Sequence, residues 1–128
     1  MASSLNRTFN CPVELALEVL GGKWKVVMLA RLKEGPLRYA ELRRLTPRMS
    51  EKMLTQRLRE LEEQGLIQRV TRPGAGKHVV YTLTKRGESA RPMLQALYDW
   101  GLRIADEVGA HLEAPRPARP PATRRSTA

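Results

Sequence analysis

A single cysteine, Cys11, stands in this chain of 128 residues. No intramolecular disulfide framework can therefore brace the fold, and the count fits a reducing compartment such as the cytosol. No apolar run approaches the ~18 residues of a membrane span. The opening "MASSLNRTFNCPVE" has neither an apolar h-region nor a small-residue cleavage site, so export is not expected and a cytoplasmic location is. The two histidines, His78 and His111, have no cysteine or acid at ligand spacing, which argues against a metal site and leaves no expected cofactor. No serine sits in a nucleophile elbow and no thiol has a histidine partner. "GAGKH" lacks the phosphate-loop pattern, with Thr71 where a glycine is needed and His78 where Ser or Thr is needed. The chain does not read as an enzyme.

Acidic residues are also scarce: 23 Lys and Arg stand against 13 Asp and Glu, a formal charge of +10. That balance favours an anionic partner, with nucleic acid the commonest for a small basic protein. The last fifteen residues, "APRPARPPATRRSTA", hold four prolines, four arginines and no acid. Such a segment buries too little apolar surface to fold and is expected to be disordered. It carries +4 of the charge and leaves +6 on residues 1–113, so the foldable part is basic too.

The stretch "MSEKMLTQRLRELEEQG", Met49 to Gly65, reads as an amphipathic helix capped by Ser50 and stopped by Gly65. With Leu54 at zero on a helical wheel, Leu58 falls near 40° and Leu61 near −20°. Lys52, Gln56 and Arg59 fall at roughly 140–200°, opposite that apolar stripe, with Thr55 at the edge of the outer face. Arg57 borders the leucines and reads as structural. Basic and polar groups fill the first half, whereas Glu60, Glu62 and Glu63 crowd the second. A helix that pushes its N-terminal half into a DNA major groove keeps acids out of that half. The plainer alternative is a solvated face with Arg59 paired to Glu63.

Around this helix the order is legible. Residues 1–10 read as a flexible arm. A first helix runs from about Pro12 to Leu20, with proline suited to its first position and Gly21-Gly22 as its stop. "KWKVVMLARLKEG" is apolar on almost every side and marks a central buried helix, which makes Trp24 core. An extended piece at Leu37-Arg38 leads into the helix "YAELRRLT", and Thr46 to Met49 form the short turn of a helix-turn-helix. "LIQRVTR" and "HVVYTLT" read as strands joined by the basic tip "PGAGK", with Val79, Tyr81 and Leu83 on one face. A last helix is expected from about Lys85 to Val108, bent at Pro92. The fold class is therefore mainly α with a small β-ribbon: a winged helix-turn-helix spanning residues 11–109, followed by a Pro/Arg-rich tail at 110–128.

Several side chains follow as candidate DNA contacts. They are Lys52, Thr55, Gln56, Arg59 and Ser50 on the recognition-type helix, Arg38 beside Tyr39 at the start of the preceding one, and Arg72 and Lys77 on the wing. Lys23 and Lys25 flank Trp24 at a helix start, where backbone N–H groups favour a phosphate. In the last helix Leu94, Gly101 and Val108 recur every seven residues, with Leu97, Tyr98 and Ile104 between them. So wide a stripe on so small a domain is expected to form a homodimer seam. A protein-docking winged helix and an RNA-binding protein are the competing functions. The acid-free first half of the helix argues against docking, and the narrow major groove of RNA argues against the latter.

The run from Cys11 to Val70 together with "VVYTLTKRGESARPML" resembles the HxlR-type bacterial transcriptional regulators. The most specific pieces are the Cys-Pro start, "GGKW", "LTQRLRELEEQGLI" and "YTLTKRG". The resemblance implies a cytoplasmic homodimer that binds a pseudo-palindromic double-stranded operator, with Ser50–Gln64 in the major groove and Leu66–Leu83 as the wing. It also implies dimerisation through the first and last helices. Some relatives sense oxidants or reactive electrophiles through the cysteine matching Cys11, so a small-molecule or oxidant effector is a further expectation. Independently, the sulfur of Cys11 precedes Pro12 and should lie near free backbone N–H groups, whose dipoles favour a thiolate. The wing tip "RPGAGKH" departs from the many relatives that carry prolines or acids there.

Overall fold

The computed structural model describes residues 5–74 and 78–113. Helix α1 is Pro12–Leu20, with Cys11 as N-cap and Pro12 in the first turn, where a missing N–H costs nothing. Helix α2 is Lys25–Lys33 and α3 is Tyr39–Leu45. Helix α4, Glu51–Glu63, begins at Ser50, whose hydroxyl accepts from the Met53 N–H at 3.0 Å. It ends in a Schellman turn: the Leu66 N–H reaches the Leu61 carbonyl and the Gly65 N–H the Glu62 carbonyl, with Gly65 at φ +75°. Strands β1, Ile67–Arg72, and β2, His78–Leu83, form an antiparallel ribbon in register from Ile67 opposite Leu83 to Arg72 opposite His78. Leu37 adds a single bridging pair with Tyr81, so the extended residue before α3 ties the helices to the ribbon. Short α5, Lys85–Glu88, and α6, Arg91–Val108, complete the order. This is a winged helix-turn-helix.

Two compact units divide the chain, Met1–Gln95 and Ala96–Ala128. The core of the first is built from Met28, Leu29 and Leu32 of α2, Leu42 of α3, and Leu54, Leu58 and Leu61 of α4, closed by Leu66, Ile67 and Leu83. The leucine stripe of α4 is thus its inward face, each fully buried leucine contributing about 2 kcal/mol. The outward face is fixed by the same geometry.

Four expectations need correction. The last helix is two: α5 ends at Glu88, α6 starts at Arg91, and Pro92 sits in the opening turn of α6 rather than at a bend. Leu94 is 1% exposed and belongs to the core, so it is no seam residue; heptad spacing cannot tell a core contact from an interface contact. In β2 the buried residues are Val80 and Leu83 while Val79 is exposed, so the strict alternation fails. Helix α2 is less enclosed than its composition suggests, since Val27 is exposed. Its first residue is Lys25, because Trp24 adopts a left-handed backbone at φ 88°. That conformation costs a non-glycine residue on the order of 1 kcal/mol or more. Packing of the indole against the core and the Lys23 ammonium 5.0 Å from the ring hold it.

Candidate nucleic-acid interface

The turn between α3 and α4 is tied at both ends. The Thr46 hydroxyl donates to the Leu42 carbonyl at 2.7 Å, the Met49 N–H donates to the Thr46 carbonyl at 3.0 Å, and Met49 is buried. Such a turn holds the two helices in one arrangement. It leaves Lys52, Thr55, Gln56 and Arg59 exposed on the side of α4 away from the core.

The polar ties from α2, β1 and α5 gather at the second half of helix α4. Glu60 pairs with Arg57 at 3.0 Å and lies 3.8 Å from the Lys25 ammonium. Glu62 accepts from Arg69 of β1 at 3.0 Å. The Gln64 side chain accepts from Lys25 at 3.3 Å, and its carbonyl accepts from Arg86 of α5 at 2.7 Å. Thr84 completes the anchor, donating to the Gly65 carbonyl at 2.6 Å while accepting from the Gly87 N–H at 3.1 Å. A side chain at Gly87 would meet the Leu66 carbonyl oxygen at 2.2 Å, so this close approach admits only glycine.

The outward face from Lys52 to Arg59 differs. Lys52 and Arg59 enter no ion pair among the described residues, and the Arg59–Glu63 pair that a solvated helix would favour does not form. Gln56 has one long contact, 3.5 Å to Glu60. Glu51, the acid nearest the helix start, is paired with Arg43 of α3 at 3.1 Å. The outward face from Lys52 to Arg59 therefore offers uncommitted donors, and the acid at the helix start, Glu51, is compensated.

The other sequence candidates divide. Ser50 spends its acceptor on the cap. Arg38 is exposed at the start of α3, its N–H held by Glu41 at 2.8 Å. Arg72 is exposed at the end of β1, Lys23 is exposed, and Lys77 lies outside the described residues. Lys25 must be withdrawn as a phosphate ligand: it is 8% exposed and its ammonium is turned onto Glu60 and Gln64. Alternate residues at a helix start point to different sides, and Lys25 falls on the inner one. In the second unit Leu97, Tyr98, Gly101 and Val108 are exposed and Ile104 is half-buried. Trp100 and Leu102 are exposed as well. Cys11 is exposed, and its sulfur accepts from the Val13 N–H at 3.4 Å.

The model of the HxlR-like helix-turn-helix family matches residues 19–108. The chain belongs to that family. An HTH-type transcriptional regulator of Methanothermobacter thermautotrophicus is 47% identical over 91 residues, covering 71% of this chain and 70% of that one. Among solved structures, the reduced form of the redox regulator HypR superposes with a TM-score of 0.69 at 35% identity, covering 79% of this chain and all of HypR. Reduced YodB of Bacillus subtilis superposes at 0.63 with 34% identity, over 77% and 94% of the two chains. HypR also has an oxidised form, and YodB diamide-treated and quinone-bound forms. This HxlR-like protein is a DNA-binding transcriptional regulator of the helix-turn-helix type, and its relatives are regulators rather than enzymes. No helix among its described residues is long and apolar enough to cross a membrane.

Proposed function

We propose that this HxlR-like protein acts in the cytoplasm as a homodimer on a pseudo-palindromic duplex operator, reading bases with the outward face of α4 from Lys52 to Arg59. The observation that carries the reading is the division of α4: ties from α2, β1 and α5 gather at Glu60, Glu62 and Gln64, Arg43 and Tyr39 reach its start from α3, and Lys52, Gln56 and Arg59 stay exposed. Arg59 presents the bidentate donor set for guanine and Gln56 the donor–acceptor pair for adenine. Lys23, Arg38, Arg72 and Lys77 supply phosphate contacts, which add affinity for any sequence. Gel shifts with duplex DNA against RNA, then selection of bound sites from random duplex, test this directly. Tight, salt-sensitive DNA binding with no selected motif would sink sequence-specific readout.

The dimer rests on apolar side chains left in water. Val13 and Leu17 of α1 are 62% and 63% exposed, and Leu97 and Val108 of α6 are 44% and 67% exposed. Apolar side chains exposed on helices of so small a domain mark a partner surface. A two-fold pair of α4 helices would meet successive major grooves about 34 Å apart or a multiple of that. Leu97→Asp places a charge in the seam, where desolvation is costly, and should abolish dimer and operator binding together. A folded variant still dimeric in sedimentation would remove the seam but leave DNA binding standing.

Cys11 is the proposed sensor of oxidants or electrophiles. The sulfur is exposed at the N-terminus of α1, where it accepts from the Val13 N–H at 3.4 Å. HypR and YodB lend the reading support. With one cysteine per chain, two thiols of a dimer would lose two hydrogens to diamide and form an intersubunit disulfide, or one thiol would add to a quinone. Operator affinity before and after treatment, in wild type and Cys11→Ser, decides it. Undiminished affinity with the thiol shown to be modified would rule out a switch.

A further inference from the structure

The Tyr39 hydroxyl is the feature that the readout described above leaves unused. Tyr39 and Arg43 are one turn apart on α3 and present one face to the start of α4. Arg43 holds the Glu51 carboxylate, and the Tyr39 oxygen lies 3.3 Å from Thr55 Oγ1 and 3.5 Å from the Glu51 carbonyl oxygen. The Tyr39 ring packs against the core, so the hydroxyl is carried on a fixed support.

A threonine inside a helix normally donates its hydroxyl to the carbonyl four residues back. Thr46 does so in this molecule, to Leu42 at 2.7 Å. The corresponding acceptor for Thr55 is the Glu51 carbonyl, and among the described residues Thr55 does not bond to it; the tyrosine oxygen approaches both groups instead. That difference changes what Thr55 can offer. A threonine back-bonded to its own helix has spent its one proton and presents only lone pairs. A threonine that accepts from tyrosine keeps its proton for an outside acceptor.

We propose that Tyr39 is a positioning residue that sets the base preference of Thr55: by donating to Thr55 Oγ1 it frees the threonine proton for an acceptor on a base edge in the major groove. The acceptors available there are guanine O6 and N7, thymine O4 and adenine N7. Either oxygen can donate across the 3.3 Å contact, and the proposal assigns that proton to Tyr39. The opposite assignment, with Tyr39 donating to the Glu51 carbonyl at 3.5 Å, leaves Thr55 an acceptor only. Selection of a base that offers only a donor there would therefore overturn the proposal. Both contacts are longer than the common O–H···O spacing of about 2.7–2.8 Å, so the arrangement can tighten when a base completes the chain. The proposal rests on the reading that the outward face of α4 meets DNA.

Site selection from random duplex with wild type, Tyr39→Phe, Thr55→Val, Thr55→Ser and the Tyr39→Phe/Thr55→Val double variant tests it. Tyr39→Phe leaves the ring in place and should melt close to wild type. The expected result is loss of preference at one base pair per half-site, about five- to tenfold in relative affinity. The same pair is lost in Thr55→Val and retained in Thr55→Ser, and the double variant is no worse than either single. Three further results overturn the proposal while leaving the DNA reading intact. In one, Thr55→Val relaxes a position that Tyr39→Phe does not. In another, Tyr39→Phe weakens all sequences alike with a shallower salt dependence, which would make it a phosphate contact. In the third, Gln56→Ala or Arg59→Ala alters the motif but Thr55→Val does not. If no α4 variant changes the motif, the parent reading fails and takes this one with it.

Discussion

The two halves of α4 are thirteen residues of one continuous helix, yet they are treated as different objects. The rear half is bound to α2, β1 and α5 through Lys25, Arg69 and Arg86. The outward face from Lys52 to Arg59 carries exposed Lys52, Gln56 and Arg59, and the one acid at the helix start, Glu51, is neutralised by Arg43. Acids in the rear serve as anchors, and their charge is consumed by the pairs they make. The lesson is that charge segregation along a helix reports two jobs at once: which end is held and which end is offered. A reading helix must be rigid without using its outward face for rigidity, and this one is held by its buried leucines, by the ties at its rear and by Arg43 and Tyr39 at its start.

The rear clamp breaks most completely at Gly87. A methyl group there would meet the Leu66 carbonyl oxygen at 2.2 Å, and backbone cannot step aside as a flexible side chain can. Gly87→Ala should cost about 3 kcal/mol, read as a fall in melting temperature, and should drag operator affinity down with it. Near-wild-type melting would mean that α5 and the end of α4 are not locked together.

At the front, Arg59→Ala and Gln56→Ala should each cost about 1–3 kcal/mol in specific binding and relax base preference, with melting unchanged because neither side chain supports the core. The contrast with Gly87→Ala is the sharpest form of the comparison: one end of the helix affects stability and the other affects binding alone. If Arg59→Ala lowered melting as much as binding, the division would not hold.

Much of this arrangement was legible in the residues. The α4 wheel gives the inward face because Leu54, Leu58 and Leu61 leave one orientation only, and Ser50 and Gly65 mark its ends. The order of elements follows from the same caps and from the change in period at Ile67. What stayed hidden depends on long-range approach. Nothing local distinguishes Lys23 from Lys25, yet one is exposed and the other is drawn under α4 to Gln64, 39 positions on. Leu94 and Leu97 share a stripe, yet one is core and the other exposed. The Tyr39–Thr55 contact spans sixteen positions and has no periodicity that could announce it.

Lys25 offers a smaller and more discriminating break. Lys25→Met keeps the aliphatic stem while removing the bonds to Gln64 and Glu60, and Glu60 retains Arg57. A loss of about 1 kcal/mol in stability is expected, with the salt dependence of DNA binding unchanged. Lys23→Ala should show the reverse: ordinary melting and a log–log salt slope shallower by about one. A shallower slope in Lys25→Met would return that lysine to the phosphate contacts and weaken the account of the rear clamp.

The smallest effect is expected at Arg69, which is largely exposed, so its pair with Glu62 is worth at most about 0.5 kcal/mol. Its value as a test lies elsewhere. The Tyr81 phenol is held above its ordinary value of 10.0 by burial first and by the Glu62 carboxylate second, and Arg69 opposes both. Arg69→Ala should therefore move the Tyr81 titration further upward, followed as phenolate absorbance against pH. Because the folded-state value is raised, the stability it contributes is present in full below pH 10 and is lost as pH rises through the folded value. Tyr81→Phe should flatten that alkaline loss. Arg69→Ala should also leave the salt dependence of operator binding untouched, because its guanidinium already serves Glu62 at the held end of α4. A slope shallower by about one would instead place Arg69 on a phosphate, and the boundary between the held and offered ends would have to move outward along β1.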